Sequence, residues 1–350
     1  MAKRLKGGLI AAAAIGLGLV TLLIAWVGVH EVFGAIADIG WTGFAIFTLY
    51  WLLVVSVVGL AWKTAAPGVG VRRSGLFVWG RFLRESAAEL LPFAQIGGLV
   101  VGARAVIAAG VAEEVVFASL LVDLVAEMAA QAFYTLLGIG LIAVRLNAHL
   151  AGPILWPAMG AMALIFTVAI SFLFAQQRTV AWLGRFARRW LPDSMTRADA
   201  VGVALEEIYR RPGRVAAAVA LHLVGWVGGG GASWIALRFM GVEAPFWVVI
   251  AIESLMYAVR SVGFALPGAL GVQEGAYVLL GPFFGLHADH ALALSLLRRA
   301  RDLVIGVPTL AVWQAREGHA LFRRRRARKG AAAEVRGPVV KSGPKSPTMV

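Results

Sequence analysis

The chain has 350 residues, of which 60% are hydrophobic and 15% charged, and its mean hydropathy is +0.79. A soluble domain carries roughly a quarter charged residues, so this composition predicts an all-α polytopic membrane protein. Cysteine is absent, which excludes a disulfide framework, a thiol nucleophile and a thiolate metal site; the net charge of +14 sits mostly in loops and tails, and marks membrane topology, not a nucleic-acid partner.

The first apolar run, Gly7–Val29, is longer than a secretory h-region and no small-x-small cleavage site follows it, so it reads as a retained first span. Trp41–Trp62 is a second clean span. The stretch His30–Gly40 between them lacks Lys and Arg and is expected to be an outward turn. A basic connection with Lys63, Arg72, Arg73, Arg81 and Arg84 leads to an apolar segment, Glu89–Gly110, broken by Pro92, Gly97 and Gly98. Val115–Val144 and Pro153–Ala175 follow as spans. The polar connection at 176–213 places Trp182, Leu183, Phe186 and Trp190 on one face beside Arg185, Arg188 and Arg189, the pattern of a helix lying on an anionic leaflet. Arg214–Leu237 is a clean span containing Gly228–Gly231, a run that weakens a helix. After an outward turn at Gly241–Ala244 come three charge-bearing segments, Pro245–Ala265, Leu266–Phe284 and Ala288–Gln314, and then a basic tail. The count is about seven or eight transmembrane helices. Trp26, Trp41, Trp51, Trp62, Trp156, Trp234 and Trp247 lie near predicted ends, as interfacial anchors do.

Basic residues set the orientation. Lys3, Arg4 and Lys6, the connections around Arg72 and Arg188, and the tail from Arg316 to Lys329 are all expected on the cytoplasmic side of a bacterial inner membrane, with both chain ends. Two spans lie between Arg84 and Arg178 and use up both crossings. Glu89–Gly110 must therefore enter and return, a re-entrant hairpin. The later broken stretch, with Pro267, Gly268 and Gly271, reads either as part of two ordinary crossings or as re-entrant from outside.

The two breaks share a register. Gly110 lies 18 residues beyond Pro92 and Gly285 lies 18 beyond Pro267; Glu127 and Asp302 each lie 35 beyond the same prolines. This predicts an internal repeat of two cassettes, 85–130 and 260–305, within a lipid-handling domain, 1–320, followed by a disordered basic tail, 321–350.

Charge inside the bilayer is costly and usually functional. Here it collects around the breaks. Asp123 and Glu127 are four apart on one helical face, Glu253 and Arg260 seven apart, and Arg298, Arg301 and Asp302 share a face. The expectation is acid–base pairing across helices around one polar cavity. Glu274, just past the second break, ranks first as a candidate and is expected to take a proton, pair with Arg260 or Arg104, or meet a cationic headgroup. Arg104 suits a phosphate or carboxylate, and Gln95 and Gln273 add neutral hydrogen bonding. His287 and His290 are too isolated for a metal site, and His222 reads as a satisfied polar residue. No Walker loop, dinucleotide fingerprint or nucleophile elbow is present, so no cofactor, metal or catalytic motif is expected.

The segments "RESAAELLPFAQIGGLVVGARAV" and "ALPGALGVQEGAYVLLG" resemble the two signature segments of the lysylphosphatidylglycerol synthase/flippase-type transmembrane family, the first most closely its hopanoid-biosynthesis-associated, HpnL-like branch. The resemblance covers roughly residues 5–320. It implies that Pro92, Gln95, Gly97, Gly98 and Arg104 form the first motif and Pro267, Gly268, Gly271 and Glu274 the second. Where the family often has an acid after the double glycine, this chain has Leu99. Nothing after the membrane part resembles the soluble aminoacyl-transferring domain, so lysyl transfer is not implied. The leading expectation is a lipid transporter that moves hopanoids or related lipids, with lipids and lipid-biosynthesis or transport proteins as partners. The alternatives are a membrane-embedded enzyme using Glu274 or Asp123 and Glu127 as general base, and a non-catalytic scaffold.

Overall fold

A computed structural model describes residues 29–90, 94–145, 194–262 and 272–335, with scattered helical residues between 156 and 178. Among the described residues the fold is all helical. The helices are α1 (Val29–Ala65), α2 (Ser74–Leu90), α3 (Ala94–Ala108), α4 (Glu113–Arg145), α5 (Ser194–Tyr209), α6 (Pro212–Phe239), α7 (Phe246–Val262), α8 (Val272–Leu280) and α9 (Ala288–Val335). The chain divides into two units. Met1–Thr309 holds the bundle, and Leu310–Val350 carries the continuation of α9.

Three described helices, Ile36–Ala65, Glu113–Arg145 and Pro212–Phe239, are long and apolar enough to cross a membrane. They contain the predicted spans Trp41–Trp62, Val115–Val144 and Arg214–Leu237. The predicted span Gly7–Val29, apart from its last residue, and Trp182, Leu183, Phe186 and Trp190 lie outside the described residues. Four expectations are corrected. His30–Gly40 is helical, not a turn, and ends where Gly40 leaves helical geometry at φ 73°. The Gly228–Gly231 run does not break α6; it is the face on which α6 packs, with Gly228 against Val54 and Gly231 against Tyr50 of α1. Trp62 is no interfacial anchor. It is fully buried, edge-on to Phe77, and its Nε1–H donates to Ser119 Oγ at 3.1 Å. Residues 321–335, expected to begin a disordered tail, continue α9.

The first break falls between two helices, α2 and α3, and the first of them begins at Ser74 and includes Arg81 and Arg84. The two helices form a packed pair. They run antiparallel in near backbone contact. A Cβ on Gly98 would lie 2.5 Å from the Arg84 carbonyl oxygen, and one on Gly102 would lie 2.7 Å from that of Gly80. Small residues spaced by four let two helices approach this closely.

The two glycines placed 18 residues beyond their prolines make the same turn. Gly110 has φ +87° and Gly285 has φ +77°, a backbone region open to glycine at little cost. In each, the next N–H reaches back five residues, Val111 to Val106 O at 3.4 Å and Leu286 to Gly281 O at 3.0 Å. The residue making that bond is buried in both. This is the Schellman stop of a helix, which redirects the chain into α4 in one case and α9 in the other.

Candidate functional site

Charged side chains in an apolar bundle are held only where partners replace water. The structure gathers them into two large clusters, a bridge and two flanking pairs.

The first cluster joins α2, α4 and α6. Arg84 Nη1 donates to Asp123 Oδ2 at 2.9 Å and its Nη2 to Glu127 Oε2 at 2.5 Å. Arg81 grips Glu127 with both terminal nitrogens, at 3.1 and 2.6 Å, and pairs with Glu85 one turn along its own helix. The planar guanidinium fork suits this two-point grip. His222, buried on α6, lies 2.8 Å from Asp123 Oδ1 through Nε2. A carboxylate only accepts, so Nε2 carries the hydrogen.

The second cluster joins α6, α7, α8 and α9, and is fully enclosed. Glu253 accepts from Ser233 Oγ at 2.6 Å, from Arg298 Nη1 at 2.6 Å and from the Tyr277 hydroxyl. Arg298 also donates to the hydroxyls of Tyr277 and Tyr257, each at 2.5 Å, and its guanidinium carbon stands 5.2 Å over the Tyr257 ring. One ion pair is thus wrapped in hydroxyl donors and aromatic faces.

A bridge connects the flanks of the two breaks. Arg260, two residues before the end of α7, pairs with Glu89, one residue before the end of α2. Its Nη1 donates to Gln273 Oε1 at 3.1 Å on α8, and Gln273 Nε2 donates to Ser295 Oγ at 3.0 Å on α9. The side chains of Glu89 and Arg260 are 19% and 17% exposed, whereas those of Glu253 and Arg298 are 0% and 3%. The bridge's ion pair is therefore less buried than that of the second cluster.

Asp123, Glu127, Glu253, Arg260, Gln273 and Arg298 are thus brought into buried or half-buried contact, in separate networks among the described residues. Glu253 and Arg260 share a helix and each pairs across helices, with Arg298 and Glu89. Two expected pairings differ. Glu274 pairs with Arg299 on α9, in place of Arg260 or Arg104. Asp302 pairs with its neighbour Arg301, whose guanidinium stacks 3.8 Å over the Trp51 ring. Arg104 is exposed on α3, and on the same helix Gly98 packs against α2 while Gly97 faces open space. Gln95 is helical; Pro92, Pro267, Gly268 and Gly271 lie outside the described residues.

Sequence reasoning missed Arg81 and Arg84, assigned to a cytoplasmic loop, and Glu89, Arg299 and Ser233. The arginines are one helical turn apart, which matches the spacing of Asp123 and Glu127. That match is the one signal the sequence offered. Among the described residues no group of His, Asp and Glu is arranged to hold a metal ion.

A model of the lysylphosphatidylglycerol synthase TM region matches residues 9–308. No curated protein and no solved structure matches the chain. The match covers most of the sequence, so the chain belongs to the lysylphosphatidylglycerol synthase transmembrane family and is a membrane protein.

Proposed function

We propose that this member of the family is a flippase-like transporter that moves a lipid between leaflets or membranes without changing it chemically. The observation that carries the reading is the Glu89–Arg260–Gln273–Ser295 bridge, which ties the flanks of both interrupted helices together and runs from the half-buried Glu89 and Arg260 to the buried Gln273 and Ser295. Broken helices in a bilayer persist only where protein or a wet cavity satisfies their backbone, and paired breaks are where transporters bind their substrates. The headgroup passes along this bridge while the tail stays in lipid. Glu274 and Arg104, on the helices that follow the two breaks, are the further headgroup contacts in this reading. The resemblance of the first motif to the hopanoid-associated branch makes a hopanoid or related lipid the first substrate to try.

The accompanying topology has seven or eight spans in a bacterial inner membrane, cytoplasmic chain ends, a re-entrant α2–α3 hairpin, and two cassettes of common origin. Their common origin is supported by the matching Gly110 and Gly285 turns. The rival reading is a headgroup-modifying enzyme.

The test uses the full chain in vesicles with a headgroup-labelled lipid whose outward exposure is followed over time. Wild type is expected to speed exposure, and Glu89→Gln and Arg260→Gln to slow it at least about tenfold, a loss of about 1.4 kcal/mol of barrier lowering. Equal rates in wild type and in both variants exclude the bridge from the path. Recovery of chemically altered lipid favours the enzyme.

A further inference from the structure

The two clusters differ in charge. Glu253 and Arg298 cancel, as do Glu89 with Arg260, Glu274 with Arg299 and Asp302 with Arg301. The α2–α4–α6 cluster does not cancel. It holds two guanidiniums, Arg81 and Arg84, against three carboxylates, Glu85, Asp123 and Glu127. With a neutral His222 its sum is one negative charge; with one added proton it is zero. An uncompensated charge in a low-dielectric bundle is costly, and one added proton would remove it.

Exposure marks the open side of the cluster. Side-chain exposure rises along the chain of contacts from Asp123 at 0% and His222 at 1%, through Glu127 at 18%, to Glu85 at 31%. Arg81 and Arg84 link each carboxylate to the next. The charged and titratable groups facing His222 come from α4 (Asp123, Glu127) and α2 (Arg81, Arg84, Glu85). Among the described residues, none on the other helices packed against α6, namely α1, α5 and α7, forms an ion pair with this cluster.

We propose that this cluster is a proton site, and that one proton held on the His222–Asp123 pair is the coupling ion of lipid movement. Binding forms one N–H or O–H bond on the pair and release breaks it, with water as the donor and acceptor at the open side of the cluster. The coupling half of the proposal rests on the transport reading above. The binding half does not.

Two measurements test them separately. A proton bound only by the folded chain links folding to pH. The folded-to-unfolded ratio of wild type, reconstituted without added substrate, is then expected to fall as pH rises, by at most about tenfold per pH unit, relative to His222→Gln. Glu85→Gln, at a partly exposed position, balances the cluster without a proton, and is expected to match the His222→Gln slope while leaving His222 in place. Parallel slopes for wild type and both variants overturn the proton site. In vesicles, an imposed difference of one pH unit is expected to shift the wild-type leaflet ratio of labelled lipid by up to about tenfold, and Glu85→Gln to remove the shift. Lipid movement in wild type that ignores the gradient overturns the coupling. A pH-linked stability with no lipid movement in any variant leaves the proton site standing and removes the transport reading instead.

Discussion

The α2–α4–α6 cluster and the α6–α7–α8–α9 cluster answer the same problem in opposite ways. Asp123 lies 31 residues beyond Pro92, and Arg298 lies 31 beyond Pro267. At matched positions on matched helices the charge is reversed, and the facing helix supplies the complement, Arg84 in one and Glu253 in the other. Beyond that point the two diverge. The second cluster surrounds its ion pair with neutral hydroxyls from Ser233, Tyr257 and Tyr277, so it is closed and balanced. The first spends its remaining hydrogen bonds on more charge, and a histidine completes it. A buried ion pair capped by hydroxyls is a joint; one extended by titratable groups can change state.

Breaking the closed cluster is expected to have the largest effect. Glu253→Leu leaves Arg298 buried without its carboxylate and should cost about 3–5 kcal/mol, read as a lowered unfolding midpoint of the reconstituted chain. Adding Arg298→Met should recover most of that loss, because two apolar side chains can replace a buried pair. If the double variant is as unstable as the single, Arg298 is not what Glu253 stabilises.

The open cluster should tolerate the equivalent loss better. Glu127→Gln still leaves Glu85 and Asp123 for the two arginines, and about 1.5–3 kcal/mol is expected. A cost equal to that of Glu253→Leu would erase the proposed contrast between the clusters. The helix pair that carries Arg84 offers a backbone test. Gly98→Ala puts a methyl group against the Arg84 carbonyl and should cost about 1–3 kcal/mol, whereas Gly97→Ala meets open space and should cost none. Equal melts for these two variants would mean that the α2–α3 contact is not tight. The smallest stability effect belongs to the bridge. Glu89→Gln should change stability by less than about 1 kcal/mol, as a partly solvated pair does, while slowing lipid exposure. A large loss of stability there would make the bridge a structural brace.

Much of this was legible in the chain itself. Hydropathy located α1, α4 and α6, because twenty or so apolar residues have few alternatives to a membrane helix. The cost of charge in lipid singled out Asp123, Glu127, Glu253, Arg260 and Arg298 before any contact was known. The +18 register anticipated two glycines that prove to share one turn. Other features were hidden for physical reasons. Arg81 and Arg84 look like loop residues because sequence shows a basic run, not the antiparallel packing at Gly98 and Gly102 that turns both side chains toward α4. Gly228–Gly231 looks like a weak point because helix propensity is local, whereas close packing on Val54 and Tyr50 is not.

The sequence by itself determined which residues cannot be left alone in an apolar bundle, and where the helices must break. Only the tertiary structure decided who satisfies whom. Partner choice depends on which faces meet across residues far apart in the chain, as with Glu89 and Arg260, and on whether the next donor is a hydroxyl or another charge. Because that choice is made in three dimensions, two stretches of similar register became one balanced joint and one cluster that lacks a proton's worth of charge.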